Sequence, residues 1–177
     1  MENENDKDAG WFVPGSHLNQ MLYCGPSYNG HVQNALEYLP SEVFNKIKTS
    51  VAIYSTNETD GCRLAREVCK SKEIILISER IFPRRGATEG DDNYRYFIFV
   101  VLHEIAHAYL KHLSPKLDSL TDSEMKAQED EADKLALQWF NGYVEARANS
   151  FLPKLTRDEI DKAKTKSTKE REKIYIG

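Results

Sequence analysis

The sequence predicts an α+β domain, mostly helical, with a short twisted β-sheet packed on one buried helix, and three observations predict it. Residues 51–55 (VAIYS) and 74–78 (IILIS) are short runs rich in β-branched side chains and read as strands. Residues 94–110 are apolar on nearly every side of a helical wheel, so a helix there should run through the core rather than along the surface. Residues 122–141 place Met125, Ala132, Leu135, Ala136, Trp139 and Phe140 at i, i+3, i+4 spacing, the pattern of a helix with one buried stripe.

A chain of 177 residues suffices for one domain with a substantial core and is short for two. The expected organisation is a mobile segment over residues 1–10, a body over 11–150 and a charged helix or tail over 151–177. Lys and Arg number 24 against 28 Asp and Glu, a net charge of −4, which does not make the basic footprint of a nucleic-acid binder. No apolar stretch reaches 18 residues, and the acidic opening MENENDKDAG lacks a signal-peptide core, so no membrane partner is expected and the cytoplasm is the expected location. Cys24, Cys62 and Cys69 are odd in number and show no C-x-x-C spacing, which favours reduced thiols. A bridge between Cys62 and Cys69 across a hairpin stays geometrically open.

Along the chain, residues 11–15 (WFVPG) read as the point where it first grips the body. Val32, Ala35, Leu36, Leu39, Val43, Phe44 and Ile47 predict two short helices, broken at Pro40, with Ser41 near the second start. Residues 56–61 are turn chemistry, while 62–70 fit a strand or a turn of helix equally. The strand at 74–78 fits the interior or the edge of a sheet. Residues 83–92 combine Pro, two Gly and charges, a mobile loop that delivers Asp92 or Asn93 as the cap of the long apolar helix. Ser114-Pro115 should end that helix, and Thr121 with Glu124 is a capping box for the next. Past residue 141 the helix either stops or continues. From 154 to 173 there are eight Lys or Arg and five Asp or Glu, a solvated face or a contact for an acidic partner; Ile174, Tyr175 and Ile176 then offer a docking end.

The chemistry concentrates in residues 103–107, HEIAH. Residues four apart on a helix project about 40° from one another, so His103 and His107 can reach one ion. Glu104 follows the first histidine, which puts its carboxylate beside the ion, where a base for a metal-activated water should stand. A third ligand is then required. Glu129 lies at the edge of the buried stripe of the following helix, while its neighbours Asp130 and Glu131 point away from it. Asp133, one turn on, could accept a hydrogen bond from the outer nitrogen of a ligand histidine. His112, nine residues after His103, would lie about 180° round a continued helix and is left out. His31 reads as a helix-end or surface residue, with substrate donor as the alternative.

HEIAH and the E-x-x-A-D of residues 129–133 together resemble the gluzincin metallopeptidases, and most nearly the ImmA/IrrE family. The resemblance covers about residues 73–140. It implies a small zincin-like fold, Zn2+ held by His103, His107 and Glu129, Asp133 behind them, and the strand at 74–78 as the sheet edge along the cleft. It also implies a metallopeptidase domain over 11–150 that cuts a protein or peptide substrate at few sites, a DNA-binding repressor being one such substrate. Glu104 would take the proton of the attacking water and return it to the leaving amine. Tyr94, Tyr109, Tyr143 and His31 are the candidates for an oxyanion donor. The alternative is a zinc-containing binding or sensory module without proteolysis. Unlike the larger members of that family, the chain has no convincing helix-turn-helix segment and no long sensor region after the metal motifs.

Overall fold

The computed structural model describes residues 18, 21–57, 61–64, 72–113, 120–147 and 152–176. The expectations for residues 1–10, 11–15, Cys69, Ser114-Pro115 and the side chains of Ile174, Tyr175 and Ile176 lie outside the described residues. The elements run β1 (Leu22–Tyr23), α1 (Pro26–Leu36), α2 (Ser41–Ile47), β2 (Val51–Thr56), β3 (Gly61–Leu64), β4 (Glu73–Ser78), a 3-10 turn (Glu79–Ile81), α3 (Asp92–Leu110), α4 (Asp122–Ala146) and α5 (Arg157–Ile176). This is the expected α+β class: among the described residues, five helices and one small mixed sheet.

The four strands lie in the order β1-β2-β4-β3, with β1, β2 and β4 parallel and β3 antiparallel to β4. The strand at 74–78 is therefore interior, and the edge position that the resemblance implied belongs to β3 instead. Sequence alone could not separate the two, because a short β-branched run suits a strand with a neighbour on one side or on both. The side chains of Ile53, Ile75 and Ile77 are fully buried. A buried ion pair, Arg63 Nη1 to Glu73 Oε2 at 2.9 Å, ties the edge strand to its neighbour.

Every residue of α3 from Phe97 to Ala108 is buried, as an apolar run of that length requires. Helices α1, α2 and α4 and strands β3 and β4 all pack against it. At 19 residues it runs about 28 Å. Asp91, not Asp92 or Asn93, is its cap residue, and its carboxylate is turned back to the amide of Thr88 at 2.7 Å. Pro40 does separate α1 from α2 as the cap residue of the latter.

Helix α4 opens on the capping box: Thr121 Oγ1 accepts from the Glu124 amide, and the Glu124 carboxylate accepts from the Thr121 amide. It continues through Ala146, burying Ala132, Asp133, Ala136, Trp139, Phe140, Tyr143 and Val144. A second capping pair, Thr156 with Glu159, starts α5. That signature, T-x-x-E, stood in the sequence and was absorbed into the charged run. Leu155 and Ile160 enter the core here, and Arg95 on α3 reaches Glu159 and the carbonyls of Pro153 and Lys154. Among the described residues, no helix is long and apolar enough to cross a membrane.

Candidate metal centre

His103 and His107 project from one face of α3 toward α4, with their Nε2 atoms 3.0 Å apart. Glu129 meets them from α4, one carboxylate oxygen 3.3 Å from His103 Nε2 and the other 3.4 Å from His107 Nε2. Four-coordinate zinc with bonds of about 2.0–2.1 Å sets neighbouring ligand atoms about 3.3 Å apart. The two Nε2 atoms stand close to such an edge and each faces a different oxygen of Glu129, so the three side chains lie within reach of one ion, and two imidazoles with one carboxylate are a donor set zinc accepts. Among the described residues this is the one group of three His, Cys, Asp or Glu that could hold a metal ion. The geometry does not identify the ion.

Each imidazole also has a polar neighbour at its outer nitrogen. Asp133, four residues after Glu129 and 1 % exposed, places Oδ1 2.8 Å from His103 Nδ1. Its carboxylate is held in turn from α5, by Lys164 Nζ at 2.9 and 3.0 Å and by Arg157 Nη1 at 2.8 Å. Burial works against its charge, but His103 and Lys164 win and keep its pKa below the ordinary carboxylate value. These two cations escaped sequence reading because nothing local distinguishes them from the other basic residues of α5.

His112 corrects another expectation. It does not ride α3 to the far side, because that helix ends at Leu110 and Lys111 adopts the left-handed conformation, φ 60°. The chain turns back and sets His112 Nδ1 2.8 Å from His107 Nδ1, with His112 Nε2 3.3 Å from Glu131 Oε2. His112 stays outside the ligand group but beside it. Glu131, expected to point away from the buried stripe, thus meets His112, and Asp130 meets Lys126 and Arg157.

Without a metal the charges respond to one another. Glu129 is held well below the carboxylate range by its two histidine contacts. Burial opposes charge on His103, yet Asp133, Glu129 and Glu104 together push its pKa up to about 9. Burial lowers that of His107. Glu104 is fully enclosed, and burial pushes its carboxyl up to about 7.

Edge strand β3 supplies the wall beside Glu104. A Cβ on Gly61 would lie 2.6 Å from Glu104 Oε1 and 2.9 Å from Val100 Cγ1, so a side-chain-free residue is what lets the strand approach.

The four oxyanion candidates are engaged elsewhere. The Tyr94 hydroxyl meets Asn34 at 3.1 Å and His31 at 3.3 Å, that of Tyr109 accepts from Lys46, and that of Tyr143 donates to Glu37. His31 itself packs edge-on against Tyr94 and Phe97. Cys24 is buried with its thiol 3.5 Å from the Ile53 carbonyl, and burial pushes its pKa up to about 11, which suits a protonated core residue.

Comparison with curated proteins and with solved structures returns no match to this chain. A family model described as Peptidase U49 matches residues 96–173, a little under half of the chain, which takes in most of α3, all of α4 and most of α5. Over the stretch that carries His103, Glu104, His107, Glu129, Asp133 and Lys164, the chain is similar to that peptidase family.

Proposed function

We propose that the chain is a zinc-dependent peptidase of the gluzincin type that hydrolyses a peptide bond with a metal-activated water. The observation that carries this reading is the convergence of His103 Nε2, His107 Nε2 and the Glu129 carboxylate within reach of one ion, with a buried Glu104 on the same helix. The Peptidase U49 match supports the peptidase class. Zinc in this position supplies Lewis acidity, polarising a carbonyl and lowering the pKa of water toward about 7.

The residues divide the remaining work. His103, His107 and Glu129 would hold the ion, and Asp133 would keep the His103 ring turned toward it. Glu104 takes the proton of the attacking water and delivers it to the leaving amine, a role for which its buried place on the helix of both histidines suits it. Zinc binding alone needs no carboxyl at that position, so Glu104 favours the enzyme over the binding or sensory module. The likeness of HEIAH and E-x-x-A-D to ImmA/IrrE proteins extends the reading to a cytoplasmic, site-specific regulatory protease, with a DNA-binding repressor as the substrate class.

The test compares wild type with Glu104→Ala. Each zinc-loaded protein is incubated with cell lysate, and newly formed protein N-termini are labelled and sequenced. Wild type should generate a small set of new termini, and E104A should retain its zinc and generate none. Zinc-loaded wild type that creates no termini would overturn the peptidase reading and leave the binding module.

A further inference from the structure

His107 has an unusual backing. Its outer ring nitrogen faces another histidine, whereas that of His103 faces a carboxylate. We propose that His112 is a positioning residue for His107: it accepts the Nδ1–H of His107 and so fixes that ring as the tautomer whose Nε2 lone pair points into the metal centre. The inference rests on the reading of His103, His107 and Glu129 as zinc ligands and adds a residue to it.

Two ring nitrogens 2.8 Å apart share one hydrogen, so one donates and the other accepts. For His107 Nε2 to offer a lone pair to a cation, the single hydrogen of its neutral ring must sit on Nδ1. His112 Nδ1 is then the acceptor, and its own hydrogen sits on Nε2, 3.3 Å from Glu131 Oε2. An ionised carboxylate can only accept, so the outer contact agrees with the inner one. The reverse assignment fails at both ends. It would aim a hydrogen from His107 at the ligand position and a lone pair from His112 at a carboxylate.

The backbone is built to deliver this ring. Lys111 is the one non-glycine residue with positive φ among the described residues, a conformation that L side chains disfavour. It ends α3 and turns the next residue back over the last helical turn. The His112 amide then donates to the His107 carbonyl at 3.1 Å. Arg63, anchored on β3 by its pair with Glu73, donates to the His112 carbonyl. The His112 side chain is 7 % exposed and meets the His107 ring edge-on, centroids 4.9 Å apart. Contacts from α3, α4 and β3 thus converge on a residue that has no place among the ligands themselves.

The experiment measures zinc affinity of the full chain against a chromophoric chelator for wild type, His112→Asn and His112→Phe. Asn places its side-chain oxygen where the ring Nδ1 stands and keeps the acceptor; Phe keeps a ring and removes it. H112F should bind zinc about 10- to 100-fold more weakly, and H112N should hold most of the wild-type affinity. Equal affinity in all three, or equal loss in both variants, overturns the proposal. The zinc-loaded wild type, labelled with nitrogen-15 in histidine, should also show a coupling between His107 Nδ1 and His112 Nδ1 across their shared hydrogen. A His107 ring protonated at Nε2 overturns the proposal even if H112F does not fold. Failure of the wild type to take up zinc would instead bring down the underlying reading of the centre.

Discussion

Substitution of Gly61 by alanine perturbs Glu104, the proposed general base, without touching His103, His107 or Glu129. The new Cβ would stand 2.6 Å from Glu104 Oε1, 2.9 Å from Val100 Cγ1 and 3.0 Å from Glu104 Cγ. Ordinary carbon contacts begin at about 3.5 Å, so the carboxylate or the strand must give by about 1 Å. Glu104 has little room to swing outward, because it is buried, and Val100 blocks the same face of α3 one turn earlier. A displacement of about 1 Å at a reacting group costs on the order of 100-fold in rate, about 2.7 kcal/mol. The overpacking should cost a further 1–3 kcal/mol or so of stability. The assay is kcat/KM on a substrate found by the N-terminal labelling, together with zinc content and urea unfolding. G61A should lose activity by about two orders of magnitude with zinc retained. The control is Gly30→Ala, on the exposed side of α1 with nothing within 4 Å of its Cβ, which should keep full activity and gain about 0.5–1 kcal/mol. Full activity in G61A would refute the claim that the edge strand sets the position of Glu104.

Lys164→Met removes one of the two cations on the buried Asp133 carboxylate and should weaken zinc binding severalfold, while Lys164→Arg should restore most of it; unchanged affinity in K164M would show that α5 does not support the centre. In the metal-free chain the His103 pKa, lowered by burial but raised further by Asp133, Glu129 and Glu104, stands at about 9. A folded-state pKa above the ordinary value of 6.5 contributes stability that is complete below pH 6.5 and is lost as pH rises through 9, about 3 kcal/mol for a group so buried. Zinc must displace that proton, so its apparent affinity should rise about tenfold per pH unit between pH 7 and 9. The melting points of metal-free and zinc-loaded protein should diverge over that window, and parallel curves would count against it. Thr121→Ala breaks the capping box of α4 and should cost about 1 kcal/mol in urea unfolding, with an unchanged midpoint as the refuting result.

Features that local chemistry dictates were the ones legible beforehand. A run as apolar as residues 97–102 cannot lie at a surface, and α3 is buried throughout. The helical wheel chose Glu129 from three consecutive acids, and the structure brings it alone of the three to both imidazoles. Thr121 and Glu124 cap α4 as a T-x-x-E signature demands. What was not legible depended on distant segments or on a rare backbone state. His112 returns to the centre only because a lysine, with no glycine or asparagine to announce it, takes a left-handed conformation. Gly61 matters through contact with a helix some forty residues later, and Lys164 and Arg157 through a buried carboxylate on another helix. The interior place of β4 likewise depends on which strands arrive on either side, and no run of isoleucines specifies that.

The most direct measurement is zinc-edge X-ray absorption on the full chain titrated with zinc, repeated on Glu129→Ala and His103→Ala. A single bound zinc per chain is expected, with nitrogen and oxygen neighbours at about 2.0–2.1 Å that include two imidazoles, and with tight binding lost in both variants. Sulfur neighbours at about 2.3 Å, or tight binding that survives both substitutions, would contradict a centre built from His103, His107 and Glu129.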